Sequence, residues 1–484
     1  MAEYIEIRQA IAGEWRDGAG SARHQVVNPA DDTELADYPY ADTADIDAAL
    51  AHAKAAFAEW RVTSPHHRAA ILRRMAQMTT ERIGRLAEIM TLEQGKPLAQ
   101  SKGEIEAAID TYQVLAGECE TLSGEIHPGY APGQSIRVTY EPVGPVLGLA
   151  PWNYPHMMPA VKIANALAAG NSVILKPSED TPGSAIAIVR MFEEAGVPPG
   201  VIQLVLGDPA EISGRALASD VIRHVTFTGS VPVGKQLMAQ AARGLKGVTL
   251  ELGGHAPVVV CADVDAALVG ADCARAKFKN AGQICTSPTR FYVHEDVRAT
   301  FTEAFVETAR GLKPGNGLDP DTGLGPLAHR RRLSQMRALV EDAVARGAQL
   351  LLGGTPLDGP GAFFAATVLQ DVPDEALVMT QEPFGPVAPL VGWTDLDAVL
   401  MRANSLPLGL AAYGFTSSAA QADRLAEGLA AGIVGINGFG LGSGHTPFGG
   451  IRESGQGREG GRHAMMAMME AKTVTRDTPA GGWA

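Results

Sequence analysis

Cys285 and Glu251 are the two side chains whose chemistry goes furthest together. Cys285 ends the run Asn280-Ala281-Gly282-Gln283-Ile284-Cys285, and Glu251 lies in Leu250-Glu251-Leu252-Gly253-Gly254. A thiolate adds to a carbonyl carbon, and a carboxylate then activates water against the resulting thioester. Both residues stand near glycines, which let the backbone bend and a ligand come close. Each also has an ordinary reading on its own. A lone cysteine is often a small buried hydrophobe, and a lone glutamate a solvated surface charge. Cys119, Cys261 and Cys273 have no motif around them and read as core.

Positioning such a pair needs a sizeable framework, and the hydrophobic patterning supplies one. Asp45–Trp60 and Arg68–Gln94 read as amphipathic helices with alanine-rich turns. Gly124–Ser135 breaks that pattern with several Gly and Pro residues, and Ile136–Tyr140 alternates like a strand. An apolar run, Val143–Leu149, leads to a Pro-Trp-Asn turn. Helices over Pro159–Ala169, Ser184–Glu194 and Val233–Arg243 then alternate with strands over Asn171–Lys176, Val201–Leu206 and His224–Thr228. That alternation predicts a parallel sheet with helices on both faces. Ala256–Cys261 opens a second set as a strand, and a helix over Ala266–Ala281 runs into the cysteine turn. Ala338–Arg346, Gln349–Leu352 and Leu396–Ser405 continue the α/β pattern.

The chain has 484 residues, beyond the roughly 250–300 at which one core stops growing. Hydrophobic residues make up 46% and charged residues 19%, which suits a large folded globule. Acidic residues outnumber basic ones by 54 to 40, for a net charge of −14. That balance argues against nucleic acid as a partner, because phosphate backbones attract Lys/Arg-rich surfaces. The four cysteines have neither a C-x-x-C pair nor zinc-ligand spacing, so no metal site is expected. Their scarcity fits a reducing cytoplasm. The first residues, Met1 to Glu6, show neither the basic nor the apolar region of a signal peptide. No run reaches the apolar length of a membrane span.

Seven segments occur in order: Pro151-Trp152-Asn153-Tyr154-Pro155, Lys176-Pro177-Ser178-Glu179, Phe227-Thr228-Gly229-Ser230, Glu251-Leu252-Gly253-Gly254, Gly282-Gln283-Ile284-Cys285, Glu382-Pro383-Phe384-Gly385-Pro386 and Pro447-Phe448-Gly449-Gly450. Together they resemble the NAD(P)-dependent aldehyde dehydrogenase superfamily over nearly the whole chain. The resemblance implies an α/β fold with a Rossmann-like cofactor domain in residues 1–119 and 140–253. It implies an α/β catalytic domain in 254–467 and a small oligomerisation β-flap in 120–139 and 468–484. A homo-oligomer, dimer or tetramer, follows. Gly247 stands where some tetrameric relatives place an interface arginine.

The resemblance also assigns roles. Cys285 becomes the nucleophile and Glu251 the base. Asn153 and the Cys285 backbone N–H hold the oxyanion, while Lys162 and Glu459 serve proton relay or support of the site. NAD is implied as cofactor, with NADP less favoured. Lys176 and Glu179 meet the adenosine ribose, where the Glu179 carboxylate would repel a 2′-phosphate. Gly229, Ser230 and Gly234 cradle the pyrophosphate at a helix start. Glu382, Phe384 and Trp152 lie toward the nicotinamide end. Gly455-Gln456-Gly457-Arg458-Glu459-Gly460 matches G-x-G-x-x-G, but only 24 residues follow it. That is too few for a βαβ unit of roughly 30 residues, so it reads as a turn. The segment after Gly207 departs from the family's turn, and no adenine contact is assigned there.

The substrate is an aldehyde, and its kind is less defined. Succinate-semialdehyde dehydrogenases resemble this chain at Gly409-Leu410-Ala411-Ala412-Tyr413. They carry arginines at the positions held here by Val161 and Lys279. Met157, Met158 and Val161 suggest an apolar entrance, which suits an apolar or aromatic aldehyde or a longer ω-semialdehyde. Two other functions compete. A CoA-acylating dehydrogenase usually lacks the base, so Glu251 argues against it. A non-catalytic protein on this fold is opposed by Asn153, Glu251 and Cys285 occurring together.

Overall fold

The structure, a computed structural model, describes residues 4–442 and 444–477. Residues 478–484, counted with the flap, lie outside that range, as do residues 1–3 of the first unit.

Two mixed sheets carry the fold. The first orders its strands as Glu14–Arg16, Gln9–Ile11, Ile202–Leu204, Val173–Lys176, Val146–Leu149, His224–Gly229, Gly247–Leu252 and Gly455–Gln456. The strands from Ile202–Leu204 through Gly247–Leu252 run parallel. Val146–Leu149 and Val173–Lys176 are buried at every position. Parallel strands covered by helices on both faces read as continuous apolar runs in this way. The helix Met157–Ala169 is buried from Pro159 onward, and its two polar side chains there, Lys162 and Asn165, are hydrogen-bonded inside the protein.

The second sheet runs Gln349–Leu352, Thr367–Gln370, Val387–Trp393, Pro288–His294, Ala256–Val260, Ala411–Phe415 and Ile433–Ile436. It is parallel apart from its first strand. A third, antiparallel sheet joins Glu125–Pro128, Ser135–Pro142 and Met469–Arg476. Glu125–Pro128 and Met469–Arg476 lie in the regions the resemblance assigned to a flap, while Ser135–Pro142 runs past the expected boundary at 139 into residues assigned to the cofactor domain. Among the described residues no helix is long and apolar enough to cross a membrane.

Two local expectations change. The helix predicted to reach Ala281 stops at Phe278. Asn280 (φ 48°), Ala281 (φ 51°) and Gly282 (φ 74°) then turn left-handed in succession. A β-carbon on Gly282 would stand 2.3 Å from the Gly385 carbonyl oxygen, so this position requires glycine. The G-x-G-x-x-G segment is more than a turn, because Gly455–Gln456 pairs antiparallel to the strand that carries Glu251. Its first glycine lets the two backbones meet: a β-carbon on Gly455 would lie 2.3 Å from the Leu250 carbonyl oxygen.

Candidate active site

Four neighbouring parallel strands of the first sheet end at one edge. Val173–Lys176 ends on Lys176, Val146–Leu149 leads to Pro151-Trp152-Asn153, His224–Gly229 leads to Ser230, and Gly247–Leu252 carries Glu251. Chain order reverses around Val146–Leu149, whose two neighbours both follow it in sequence. Ligands of open α/β sheets bind in the crevice at such a point, beyond the strands' carboxyl ends. A cavity of about 640 Å³ opens here, and Cys285 reaches it from the second sheet's side. Asn153, Glu251, Glu459, Gly229, Ser230, Glu382, Phe384 and Trp152 line the same space. Lys162, Lys176, Glu179 and Gly234 are not part of its wall.

Asn153 is fixed from both ends. Its side-chain amide donates to the Gln283 carbonyl at 3.0 Å, two residues before Cys285. Its own carbonyl accepts from Lys96 Nζ at 2.8 Å and from Asn280 Nδ2 at 3.2 Å. Gln283 is fully buried and holds the cysteine loop through the Asn280 and Pro326 carbonyls and the Ala328 N–H. Gly254 lets the neighbouring turn close on that loop: a β-carbon there would lie 3.1 Å from the Cys285 carbonyl oxygen.

The electrostatics favour protonated forms. Burial pushes the Cys285 thiol up to about 12, and the Glu382 and Glu251 carboxylates add to the rise. The backbone N–H groups of Cys285 and Thr286 oppose it. Glu251 is 3% exposed, and its carboxylate makes no hydrogen bond to another side chain, only the Gly450 backbone N–H lying against it. Burial and the Glu459 carboxylate push it up to about 9, against the pull of Lys162. Lys162 and Glu459 do not form the surface ion pair that charged residues usually make. Lys162 Nζ is buried, lies 2.7 Å from Glu459 Oε1, and donates to the Thr226 and Thr228 hydroxyls at 3.1 and 2.8 Å.

On the dinucleotide side, Lys176 Nζ pairs with Glu179 Oε2 at 2.6 Å. Gly234 brings the helix Val231–Ala242 against the sheet, since a β-carbon there would meet Leu252 at 2.5 Å. Glu382 is pushed up to about 8 by burial, and the Gly254 N–H opposes that rise from 3.4 Å. The Phe384 ring meets Trp152 edge-on, with centroids 5.5 Å apart.

Several residues of the site carried no sequence signal. Arg332 lines the cavity and donates to the Pro383 and Phe384 carbonyls at 2.6 and 2.9 Å. It thereby supports Phe384 in a left-handed conformation, φ 42°. In the run Arg330-Arg331-Arg332 it resembles ordinary surface charge. Lys96 and Glu104 form a fully buried pair, and Glu104 accepts from the His156 and Met157 N–H groups at 2.9 and 3.0 Å. Asn280 lay inside the quoted cysteine motif, yet its left-handed backbone was not foreseen.

Comparison with known proteins settles the family. The model of the aldehyde dehydrogenase family matches residues 15–474. The chain belongs to the aldehyde dehydrogenase family. Its relatives include a putative 4-(hydroxymethyl)benzenesulfonate dehydrogenase of Comamonas testosteroni, 42% identical over 96% of each chain. A glutarate-semialdehyde dehydrogenase of Pseudomonas putida is 39% identical, again over 96% of each. Among solved structures, an NADP-dependent enzyme of E. coli superposes with a TM-score of 0.95 at 37% identity, covering 97% of this chain and 98% of that one. As a member of this family, the protein is an oxidoreductase acting on aldehydes.

The charges around Glu251 generate a test with opposite signs. Replacing Glu459 by Gln removes the charge that raises Glu251, so any pH transition set by that carboxyl moves to lower pH. Replacing Lys162 by Met removes the charge that lowers it, so the transition moves to higher pH. Lys162→Met also strands a buried carboxylate, with an expected stability loss of about 3–5 kcal/mol. Full pH–rate profiles and thermal melts check both. Shifts in the same direction would contradict this arrangement.

Proposed function

We propose that the protein oxidises an aldehyde to the carboxylic acid by covalent catalysis at Cys285, with NAD preferred as cofactor and water completing the reaction. The observation that carries this reading is Glu251, a buried carboxylate with no side-chain hydrogen-bond partner, lining the same cavity as Cys285. A carboxylate that no side chain engages is available for water.

The residues fit a dinucleotide. Glycines, a helix start and two acidic positions occupy the sheet's carboxyl edge. Glu179, with Lys176, would meet the adenosine ribose, and its negative charge disfavours a 2′-phosphate. Gly229, Ser230 and Gly234 would take the pyrophosphate. Glu382, Phe384 and Trp152 would hold the nicotinamide end. A nicotinamide dinucleotide, when bound, supplies the acceptor for the hydride lost from the aldehyde carbon.

The chain's own groups account for the remaining steps. The Cys285 sulfur, once deprotonated, adds to the carbonyl carbon, and the C=O electron pair moves onto oxygen. The Asn153 amide and the Cys285 N–H receive that oxyanion. Loss of hydride leaves an acyl thioester on Cys285. Glu251 takes a proton from water, whose oxygen attacks the acyl carbon, and the thiolate departs as the acid forms. Lys162 and Glu459 set the charge around Glu251 and offer it a proton route. A reducing cytoplasm suits a reaction that needs a free thiol, and all four cysteines are free.

NADH or NADPH formation from an aldehyde panel, with and without CoA, tests the reaction. Oxidation without CoA, with kcat/KM higher for NAD than for NADP, is expected. Glu179→Ser should narrow that ratio. A requirement for CoA, or an NADP preference in the wild type, would refute the respective part.

Within the division into 1–119 with 140–253, 254–467, and 120–139 with 468–484, the last unit supports a homo-oligomer. Its strand Glu125–Pro128 is exposed at every position, and Ile126 and Tyr130 are 83% and 97% exposed. Bare edge strands carrying apolar residues call for a covering partner, here a second copy of the chain. Light scattering at micromolar concentration should give a dimer or tetramer. A single species of 50.7 kDa would contradict it.

A further inference from the structure

We propose that the substrate end of the cavity selects uncharged aldehydes of aromatic size and rejects aldehydes ending in an anion, with Asp110 as the rejecting group. This rests on the aldehyde-oxidising reading above and narrows it to a substrate class.

Away from the dinucleotide side, the wall is built chiefly from Met157, Met158, Val161, Ile284, Phe439 and Leu441. Thioethers and a phenyl ring make a soft apolar surface that adapts to a flat ring. Among the described lining residues the only Lys, Arg or His is Arg332. Its guanidinium is engaged with the Pro383 and Phe384 carbonyls, beside Glu382. Of the cations just before the cysteine loop, Lys279 is exposed and Lys277 is buried behind Gly282 on the Glu382 side, and neither lines the cavity.

Apart from Glu251 and Glu459, which belong to the reacting centre beside Cys285, Asp110 is the one charged residue among the described lining residues away from the dinucleotide side, and its charge is negative. Asp110 lies on the helix Leu98–Thr121, whose Ala107 and Thr111 also reach the wall. Asp110 Oδ2 accepts from the Gly444 N–H at 2.7 Å, which fixes the carboxylate in place. A carboxylate or sulfonate entering here would shed water, find no lining cation, and approach a fixed anion. An uncharged ring would lose little hydration and gain apolar contact. The relatives reported above are named for compounds that carry a sulfonate or a carboxylate. This lining offers such a group no cationic partner, so the chain departs from them in substrate.

The test uses size-matched pairs: 4-nitrobenzaldehyde against 4-carboxybenzaldehyde, and 6-oxohexanamide against 6-oxohexanoate. kcat/KM is measured for each at saturating NAD, in the wild type and in Asp110→Asn. Asparagine keeps an oxygen that can accept from Gly444. The uncharged member of each pair should be preferred by about tenfold or more. Asp110→Asn should narrow that ratio by about three- to tenfold, mainly through a lower KM for the anionic aldehyde. Raising the ionic strength should narrow it in the wild type too, through screening. This salt series carries the test alone if the variant fails to fold. Equal or better turnover of the anionic aldehydes would overturn the proposal. A ratio indifferent to both Asp110→Asn and salt would overturn the role of Asp110. Absence of NADH from every aldehyde would instead overturn the oxidation reading itself.

Discussion

The Asn153 carbonyl is the point on which the site's geometry depends. It accepts from Lys96 and from Asn280, and so ties the first sheet's loop to the cysteine loop of the second. Lys96 lies under the Tyr154 ring, 4.4 Å from its centroid, and is paired with Glu104. Glu104 in turn accepts from the backbone at the start of the helix Met157–Ala169. Asn280 is held by Gln94 at 3.0 Å and by Gln100 through its backbone N–H at 2.8 Å. Asn153, Lys96, Glu104, Gln94 and Asn280 are buried, where an unsatisfied partner costs the full desolvation penalty, about 1–3 kcal/mol for a neutral group. A fully connected buried network of this kind specifies one arrangement. The left-handed backbone of Asn280 and Ala281, unfavourable by about 1–2 kcal/mol per residue, is the strain the knot offsets.

That rigidity matters because the cavity is electrostatically frustrated. Cys285, Glu251 and Glu382 are all displaced toward their protonated forms by burial, and the two carboxylates further raise the Cys285 thiol. Lys162 is a nearby countercharge to Glu251, and Glu459 shares it. In the roles proposed above, a nucleophile and a base with such shifted affinities are poor neighbours at rest and suited to taking turns. Perturbed groups that share a cleft mark functional sites for this reason. The low dielectric that raises Glu251 also strengthens any donor aimed at an oxyanion.

Much of this was legible in the chain. The buried parallel strands are short β-branched runs bounded by turn residues, so the alternation of the first sheet could be read directly. Cys285, Glu251 and Asn153 stand in recognisable motifs next to glycines, and those glycines have a steric reason to be there. What escaped was long-range or conformational. Lys162 and Glu459 are 297 residues apart, and no local pattern reveals that they meet in a buried pair. Lys96 follows a helix-ending glycine, where a lysine ordinarily points to solvent. The helix predicted to reach Ala281 looked continuous because alanine favours helix, although Asn280 and Gly282 on either side of it are the residue types that turn left-handed most readily. Arg332 was hidden in a basic run, and the edge pairing of Gly455 was hidden in a pattern that suggests a phosphate loop.

The central claim is that Cys285 carries the acyl group and Glu251 releases it. The most direct measurement mixes Glu251→Gln with an aldehyde and NAD, quenches in acid, and weighs the protein and its peptides by mass spectrometry. The account predicts close to one acyl group per chain, located on the peptide containing Cys285, and far less in the wild type. NADH release without any adduct, or an adduct on Cys119, Cys261 or Cys273 instead, would contradict it.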